Sequence, residues 1–266
     1  MATNQIKQIS LIGAGVMGEA LIAALLKAGH DANSISVIEK RRERCDELVD
    51  LYGIKIGSDL AKTEVLLVVV KPQDLDSVLN ELKGELNPTA LVVSFVAGKK
   101  ISSISAGLGS ENPIVRVMPN TPTLIGQGAA GYSVGASVNS QQREFVAELL
   151  NASGISIEID EALQDAVTAT SGSGPAYFFA FVEAMIAGAK ELGLSEADAT
   201  KLTVQTFIGA AKLLESSGKS ATTLRENVTS PNGTTAAALA NFSNSDLTKI
   251  VTNAMKAAHD RSIELG

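Results

Sequence analysis

The stretch Gln8-Ile9-Ser10-Leu11-Ile12-Gly13-Ala14-Gly15-Val16-Met17-Gly18 decides the fold of this chain. A short β-branched run passes directly into a Gly-x-Gly-x-x-Gly turn, which in turn opens a helical stretch. The first glycine permits the tight turn, and the second lets a pyrophosphate approach the backbone. The third allows close packing of helix on strand, while the positive end of the helix favours the phosphates. That context, more than the glycines alone, predicts a dinucleotide site built on Gly13, Ala14, Gly15, Val16, Met17 and Gly18. Outward from it, helices are expected over Val16 to Ala28 and Arg42 to Tyr52, each stopped by a glycine, Gly29 and Gly53. Strands are expected at Gln8 to Ile12, Ile35 to Glu39, Ile54 to Ile56, Val65 to Val70, Ala90 to Phe95, Ile114 to Met118 and Ser156 to Ile159. Val65 to Val70 is apolar on both faces, as a central parallel strand covered by helices must be.

The pattern predicts an α/β Rossmann-type dinucleotide-binding domain over residues 1–160. Ligands of such sheets bind beyond the C-terminal strand ends, so three segments there are candidates. Glu39 closes the second strand about twenty residues beyond Gly18, where an acidic side chain accepts from the ribose 2′-OH of NAD. Lys40, Arg41 and Arg42 follow at once, and guanidinium groups bind a 2′-phosphate instead. The segment points both ways, with the cations favouring NADP(H) and NAD(H) left open; Arg44, just inside the helix, reads as a solvated charge. Val70-Lys71-Pro72-Gln73 and Ser94-Phe95-Val96-Ala97-Gly98 end the fourth and fifth strands. Arg116-Val117-Met118-Pro119-Asn120-Thr121-Pro122 holds Asn120 in a loop made rigid by two prolines.

From 161 to 266 the β-branched runs give way to Ala-rich helical stretches, giving an all-α C-terminal domain. Helices are expected at Pro175 to Leu192, Ser195 to Ser216 and Ser245 to Leu265, with Pro175 at a first helical position and Ser195 as N-cap. From Ala176 to Ala189 the only charge is Glu183, and from Leu202 to Ala211 there is none. A helix without a polar face must be buried, and so short a helical segment cannot bury several of them alone. A second subunit is therefore expected to cover them. Ser171-Gly172-Ser173-Gly174-Pro175 reads as a tight helix junction. The run Asn227-Val228-Thr229-Ser230-Pro231-Asn232-Gly233-Thr234-Thr235 gathers hydroxyls and an amide before a helix, either as an anion site suited to a carboxylate or as a plain N-cap.

Composition removes rival chemistries. There is one cysteine, Cys45, two histidines, His30 and His259, and no tryptophan. That excludes an internal disulfide and a zinc site built on two or more cysteines, and no metal centre is expected. His30 follows a glycine in a post-helix turn and His259 lies on a charged terminal helix, so neither suits a nucleophilic triad. With 22 Lys+Arg against 29 Asp+Glu and a net charge of −7, no basic stripe offers itself to nucleic acid. No apolar run reaches membrane-spanning length, and Met1 to Lys7 has no apolar leader core. A soluble, cytoplasmic protein is expected.

Taken together, Val70-Lys71-Pro72, Arg116 to Pro122, Ser171 to Tyr177 and the Ser230 to Thr235 loop resemble the pyrroline-5-carboxylate reductases, and the resemblance runs from about Gln8 to Leu265. It implies reduction of the C=N bond of 1-pyrroline-5-carboxylate to L-proline with NADPH, or also NADH. It implies a cofactor held by Gly13 to Gly18, by Lys40, Arg41 and Arg42, by Val69, Val70, Lys71 and Pro72, by Val96, Ala97 and Gly98, and by the Asn120 loop. The substrate carboxylate would lie on Ser230, Gly233, Thr234 and Thr235, with Thr235 on the ring nitrogen as the catalytic hydroxyl and Asn227 and Glu161 close by. The resemblance further implies a homodimer of interlocked helical domains that assembles further, so that one active site draws on two chains. Two departures stand out: Asn232 where the family has a second glycine, tolerable because Asn adopts left-handed backbone, and Phe95-Val96 where smaller residues are common, a change expected to tighten the nicotinamide pocket. Alternatives are a 3-hydroxyacid or 6-phosphogluconate type dehydrogenase, or a non-catalytic NADP-binding regulator. The dehydrogenases need a lysine one to two turns after the glycine-rich breaker, and the nearest here is Lys190.

Overall fold

The computed structural model describes residues 6–57 and 59–266; Met1 to Gln5, part of the segment read above for its lack of a leader core, and Ser58 lie outside the described residues. The chain forms two compact units, one of residues 1–173 with 258–266 and the other of residues 174–257.

The first unit is an eight-stranded sheet in the order β3-β2-β1-β4-β5-β6-β7-β8. Strands β1 (Ile9–Ile12), β2 (Ile35–Ile38), β3 (Lys55–Ile56), β4 (Val65–Val68), β5 (Leu91–Ser94) and β6 (Ile114–Met118) run parallel. All four β4 side chains are buried, and alternate residues enter two cores. One core gathers Leu11, Leu67, Val93 and Val117 under α1 (Val16–Lys27), α2 (Arg42–Tyr52) and α5 (Ser140–Asn151). The other gathers Leu66, Val68 and Val92 under α3 (Leu75–Leu82) and α4 (Ile101–Leu108). Each buried Leu, Ile or Val contributes about 1.5–3 kcal/mol, so the sheet's centre is the seat of this unit's stability. Helix α2 stops at Gly53 in left-handed conformation, and Gly29 (φ 93°) follows α1 in the same way.

The sequence pattern predicts no strand between Met118 and Ser156, but β7 (Gly128–Val134) lies there, antiparallel to β6. It is followed by β8 (Gly154–Glu158), parallel to β7 and two residues earlier in its start than the expected strand. Helix α6 (Gln164–Val167) and a wide π-type turn (Thr168–Gly172) then close the unit on β7. A side chain at Gly172 would come within 2.4 Å of Met118 Cε, which explains the small residue at this junction.

The second unit is helical: α7 (Gly174–Glu191), α8 (Glu196–Ser217), α9 (Ala221–Asn227), α10 (Thr234–Asn244) and the first part of α11 (Leu247–Leu265). Ser195 caps α8, accepting the Asp198 N–H at 3.1 Å as expected. Phe178 meets Phe207 and Phe181 meets Phe242 at ring-centroid distances of 5.5 and 6.3 Å. Yet Phe178, Phe179, Leu202, Ile208 and Ile250 all remain exposed in the single chain. The apolar helices read from the sequence are present, and one chain does not cover them. Among the described residues no helix is long and apolar enough to cross a membrane.

Candidate active site

The parallel strands all end on the same side, and β1 and β4, where the order of connection reverses, are neighbours there. Gly13 N–H donates to Ile38 O at 3.1 Å and Val69 N–H to Ile12 O at 2.8 Å, which draws the loops after β1, β2 and β4 together. Gly13 has φ 92°, and a Cβ on it would lie 2.5 Å from Val69 O. At Gly18 a Cβ would lie 2.3 Å from Gly13 O, so α1 rests directly on the turn. Gly15 differs, because a Cβ there would meet nothing within 4 Å. It is the N-cap of α1 and no side chain caps that helix end. Unclaimed N–H groups facing an open approach fit a pyrophosphate, and these residues fit a dinucleotide.

Glu39 is already engaged. Its Oε2 accepts Ala14 N–H at 3.0 Å, its Oε1 accepts Arg41 N–H at 3.0 Å, and the Arg41 guanidinium pairs with both oxygens. Burial pushes its pKa up, but the hydrogen bonds from Arg41 and Ala14 overcome that and lower it to about 2. Lys40, Arg41 and Arg42 are exposed, with Arg42 paired to Asp46. Arg44, which the sequence pattern marks as a solvated charge, is largely buried and bonded to Ala14 O, Glu19 and Glu47. The mistake has a physical cause: only the folded turn brings an orphan carbonyl within its reach.

Val69 and Val70 are half-buried, Lys71 is exposed, and Pro72 opens a short 3₁₀ turn. Phe95 and Val96 are buried in the two cores, so at these positions the loop offers backbone groups outward. Gly98 has φ 78° and lies against Leu265 and Gly266. The Asn120 side chain is spent on structure: its Oδ1 accepts Ala129 N–H at 2.9 Å and its Nδ2 donates to Ser171 O at 3.1 Å. Glu161 Oε1 accepts the Ile101 N–H at the start of α4 at 2.7 Å and lies 3.5 Å from Arg116 Nη1. Asp165 also faces the buried Arg116, at 3.6 Å, and accepts Ser262 Oγ at 2.6 Å. A cleft of about 820 Å³ opens beside Ile101, Ser133, Glu158 and Glu161 and includes none of the glycine-loop residues.

In the helical unit, Asn227 ends α9 and Gly233 is the N-cap of α10. Asn232 has φ 60°, the left-handed backbone expected of it, and Gly233 N–H donates to Ser230 O at 3.0 Å. No side chain caps α10, and Thr235 is half-buried while Ser230, Thr234 and Asn227 are exposed. The run therefore leaves helix N–H groups and two threonine hydroxyls available together, a donor set suited to a carboxylate.

Residues 161–265 match the family model described as pyrroline-5-carboxylate reductase dimerisation, and residues 8–98 match one described as NADP oxidoreductase, coenzyme F420-dependent. A pyrroline-5-carboxylate reductase of Pseudomonas aeruginosa is 41% identical over 97% of this chain and 96% of its own length. The chain belongs to the pyrroline-5-carboxylate reductase family. A solved structure of such a reductase from Coxiella burnetii matches at 33% identity with a TM-score of 0.91, covering 98% of this chain and 99% of that one. The Plasmodium falciparum pyrroline carboxylate reductase, solved with NADP bound, matches at 31% identity with a TM-score of 0.85 and the same coverage. The dimerisation model spans the helices whose apolar faces lie open here, and the family's chain is a homo-oligomer.

Proposed function

We propose that this chain reduces the C=N bond of 1-pyrroline-5-carboxylate to L-proline, with the hydride supplied by the nicotinamide of bound NADPH. The observation that carries this reading is 41% identity, over 97% of this chain and 96% of the other, with a reductase of that name, together with a glycine turn whose open face fits a dinucleotide. Gly13 to Gly18 hold the pyrophosphate on the uncapped end of α1. Arg41 and Arg42 receive the 2′-phosphate, and Val69 to Pro72 and Val96 to Gly98 frame the cofactor with their backbones. Asn120 acts by shaping its loop. The N-terminus of α10, with Ser230, Gly233 and Thr234, takes the substrate carboxylate, and Asn227 borders it.

The Thr235 hydroxyl hydrogen-bonds the ring nitrogen and holds its proton. A protonated imine is already electrophilic, so position and electrostatics suffice and no strong protein acid is needed. We place the enzyme in the cytoplasm; its lone cysteine, Cys45, is buried and unpaired, which suits a reducing compartment. The deciding assay follows NADPH absorbance with pyrroline-5-carboxylate, and repeats it with NADH and, in reverse, with a 3-hydroxyacid plus NADP. Oxidation of NADPH by the imine is expected. No oxidation with the imine, or turnover of the hydroxyacid instead, overturns the reading.

A further inference from the structure

We propose that Arg44 is a positioning residue for the dinucleotide turn, acting with Glu39 to fix the two peptide planes on either side of Ala14. The inference rests on the reading that this turn holds a dinucleotide. Ala14 N–H, in the Gly13–Ala14 peptide, donates to Glu39 Oε2 at 3.0 Å. Ala14 O, in the Ala14–Gly15 peptide, accepts Arg44 Nε at 2.9 Å. A trans peptide is planar, so its N–H points away from its C=O. Fixing Ala14 O towards Arg44 therefore turns the Gly15 N–H to the other side of that peptide. Gly15 is the residue whose Cβ direction is open, the approach that a phosphate would use. A charge-assisted bond on the carbonyl also polarises the amide, which strengthens the opposite N–H as a donor.

The clamp is itself held. The Arg44 side chain is 14% exposed, its Nη1 lies 2.6 Å from Glu47, and its Nη2 pairs with Glu19 in the first turn of α1. Tyr52 Oη donates to the other Glu19 oxygen at 2.9 Å, and the Arg44 bond is the main cause that lowers the Glu19 pKa. The segment Glu39 to Arg44 thus does two jobs: Arg41 and Arg42 lie exposed for a 2′-substituent, while Glu39 and Arg44 turn inward on the loop. A residue that only positions the turn must matter equally to NADPH and NADH, because both carry the pyrophosphate.

The test is a fluorescence titration of the full-length protein with NADPH and with NADH, in the absence of imine. Arg44→Ala is expected to raise both Kd values about tenfold, with their ratio and kcat at saturating cofactor unchanged within about twofold. Arg44→Lys, which keeps a charged donor but loses the fork, is expected to fall between Arg44→Ala and the wild type. Tyr52→Phe, which loosens Glu19 without touching Ala14, is expected to leave both Kd values unchanged. If Arg44→Ala does not fold, Arg44→Met keeps the aliphatic stem and stands in its place. An unchanged Kd for Arg44→Ala overturns the clamp, and a loss confined to NADPH makes Arg44 a direct phosphate ligand and overturns it too. A wild type that binds neither dinucleotide overturns the functional reading beneath, a result separable from the others.

Discussion

A single added methyl separates the three motif glycines into different physical roles. At Gly18 it would press on the Gly13 carbonyl at 2.3 Å, and at Gly13 on the Val69 carbonyl at 2.5 Å, both backbone atoms that cannot step aside. Gly18→Ala is expected to cost on the order of 2–4 kcal/mol, seen as a lowered Tm with or without cofactor. Gly15→Ala meets open space, so the apo Tm should stay within a degree or so while NADPH Kd rises tenfold or more; a Tm loss equal to that of Gly18→Ala would refute the distinction. Glu39 gives a pH prediction. Burial raises its pKa, but Arg41 and the Ala14 N–H take it down to about 2. A carboxyl held below its unfolded value adds stability that is complete above about pH 4.5 and lost as the pH falls towards 2. Urea midpoints measured over that window should fall steeply in the wild type and less in Glu39→Gln, with up to about 3 kcal/mol at stake. Thr235→Val keeps the shape and removes the hydroxyl. It is expected to lower kcat by about tenfold to a hundredfold with a smaller change in imine KM, since proton handling matters most in the transition state; unchanged kcat would remove Thr235 from the mechanism.

At the scale of elements, the centre of the parallel sheet was legible because β1, β4 and β5 are compact, buried and mostly apolar runs, and α1 and α2 have clear glycine stops. Strand β7 was not, and the reason is physical. Gly128-Ala129-Ala130-Gly131 has none of the β-branched residues that mark a strand, and at its two glycines the neighbours leave no room for them. A Cβ on Gly131 would lie 2.8 Å from Val167 Cγ1, and one on Gly128 would lie 2.3 Å from Thr123 Oγ1. Strand preference measures packing on both faces, and here packing demands small residues. Asn120 shows the same limit: its loop position suggested a cofactor contact, and nothing in the sequence signalled that its amide ties β7 to the turn before α7. Removing an amide that satisfies two backbone groups costs about 2–3 kcal/mol. Asn120→Ala should therefore lower the Tm by several degrees in the absence of cofactor, and an unchanged apo Tm alongside weakened NADPH binding would show a direct ligand instead. At the α10 end the signal was plain, since Ser230-Pro231-Asn232-Gly233 carries the turn chemistry that its backbone uses.

At the scale of the whole molecule, the 45% apolar content belongs partly to an interface. In residues 174–257 only Gly174, Ala199 and Thr203 are buried in a single chain, while Phe179 is 61% exposed and Ile250 57%. Exposed patches of this extent are costly in water, and the family's dimerisation model covers the same residues. Each large side chain that a second chain covers contributes about 1.5–3 kcal/mol, so a charge placed there opposes association without disturbing contacts inside one chain. Phe179→Asp with Ile250→Asp is expected to shift the species seen by light scattering at micromolar concentration from an oligomer to a monomer. The turn at Gly13 to Gly18 and its clamps lie wholly within one compact unit of one chain. NADPH affinity should therefore survive dissociation within a few-fold, even as the Tm loses its dependence on protein concentration. A wild type that is monomeric at micromolar concentration, or a double variant of unchanged mass, would show that these faces are not what holds the subunits together.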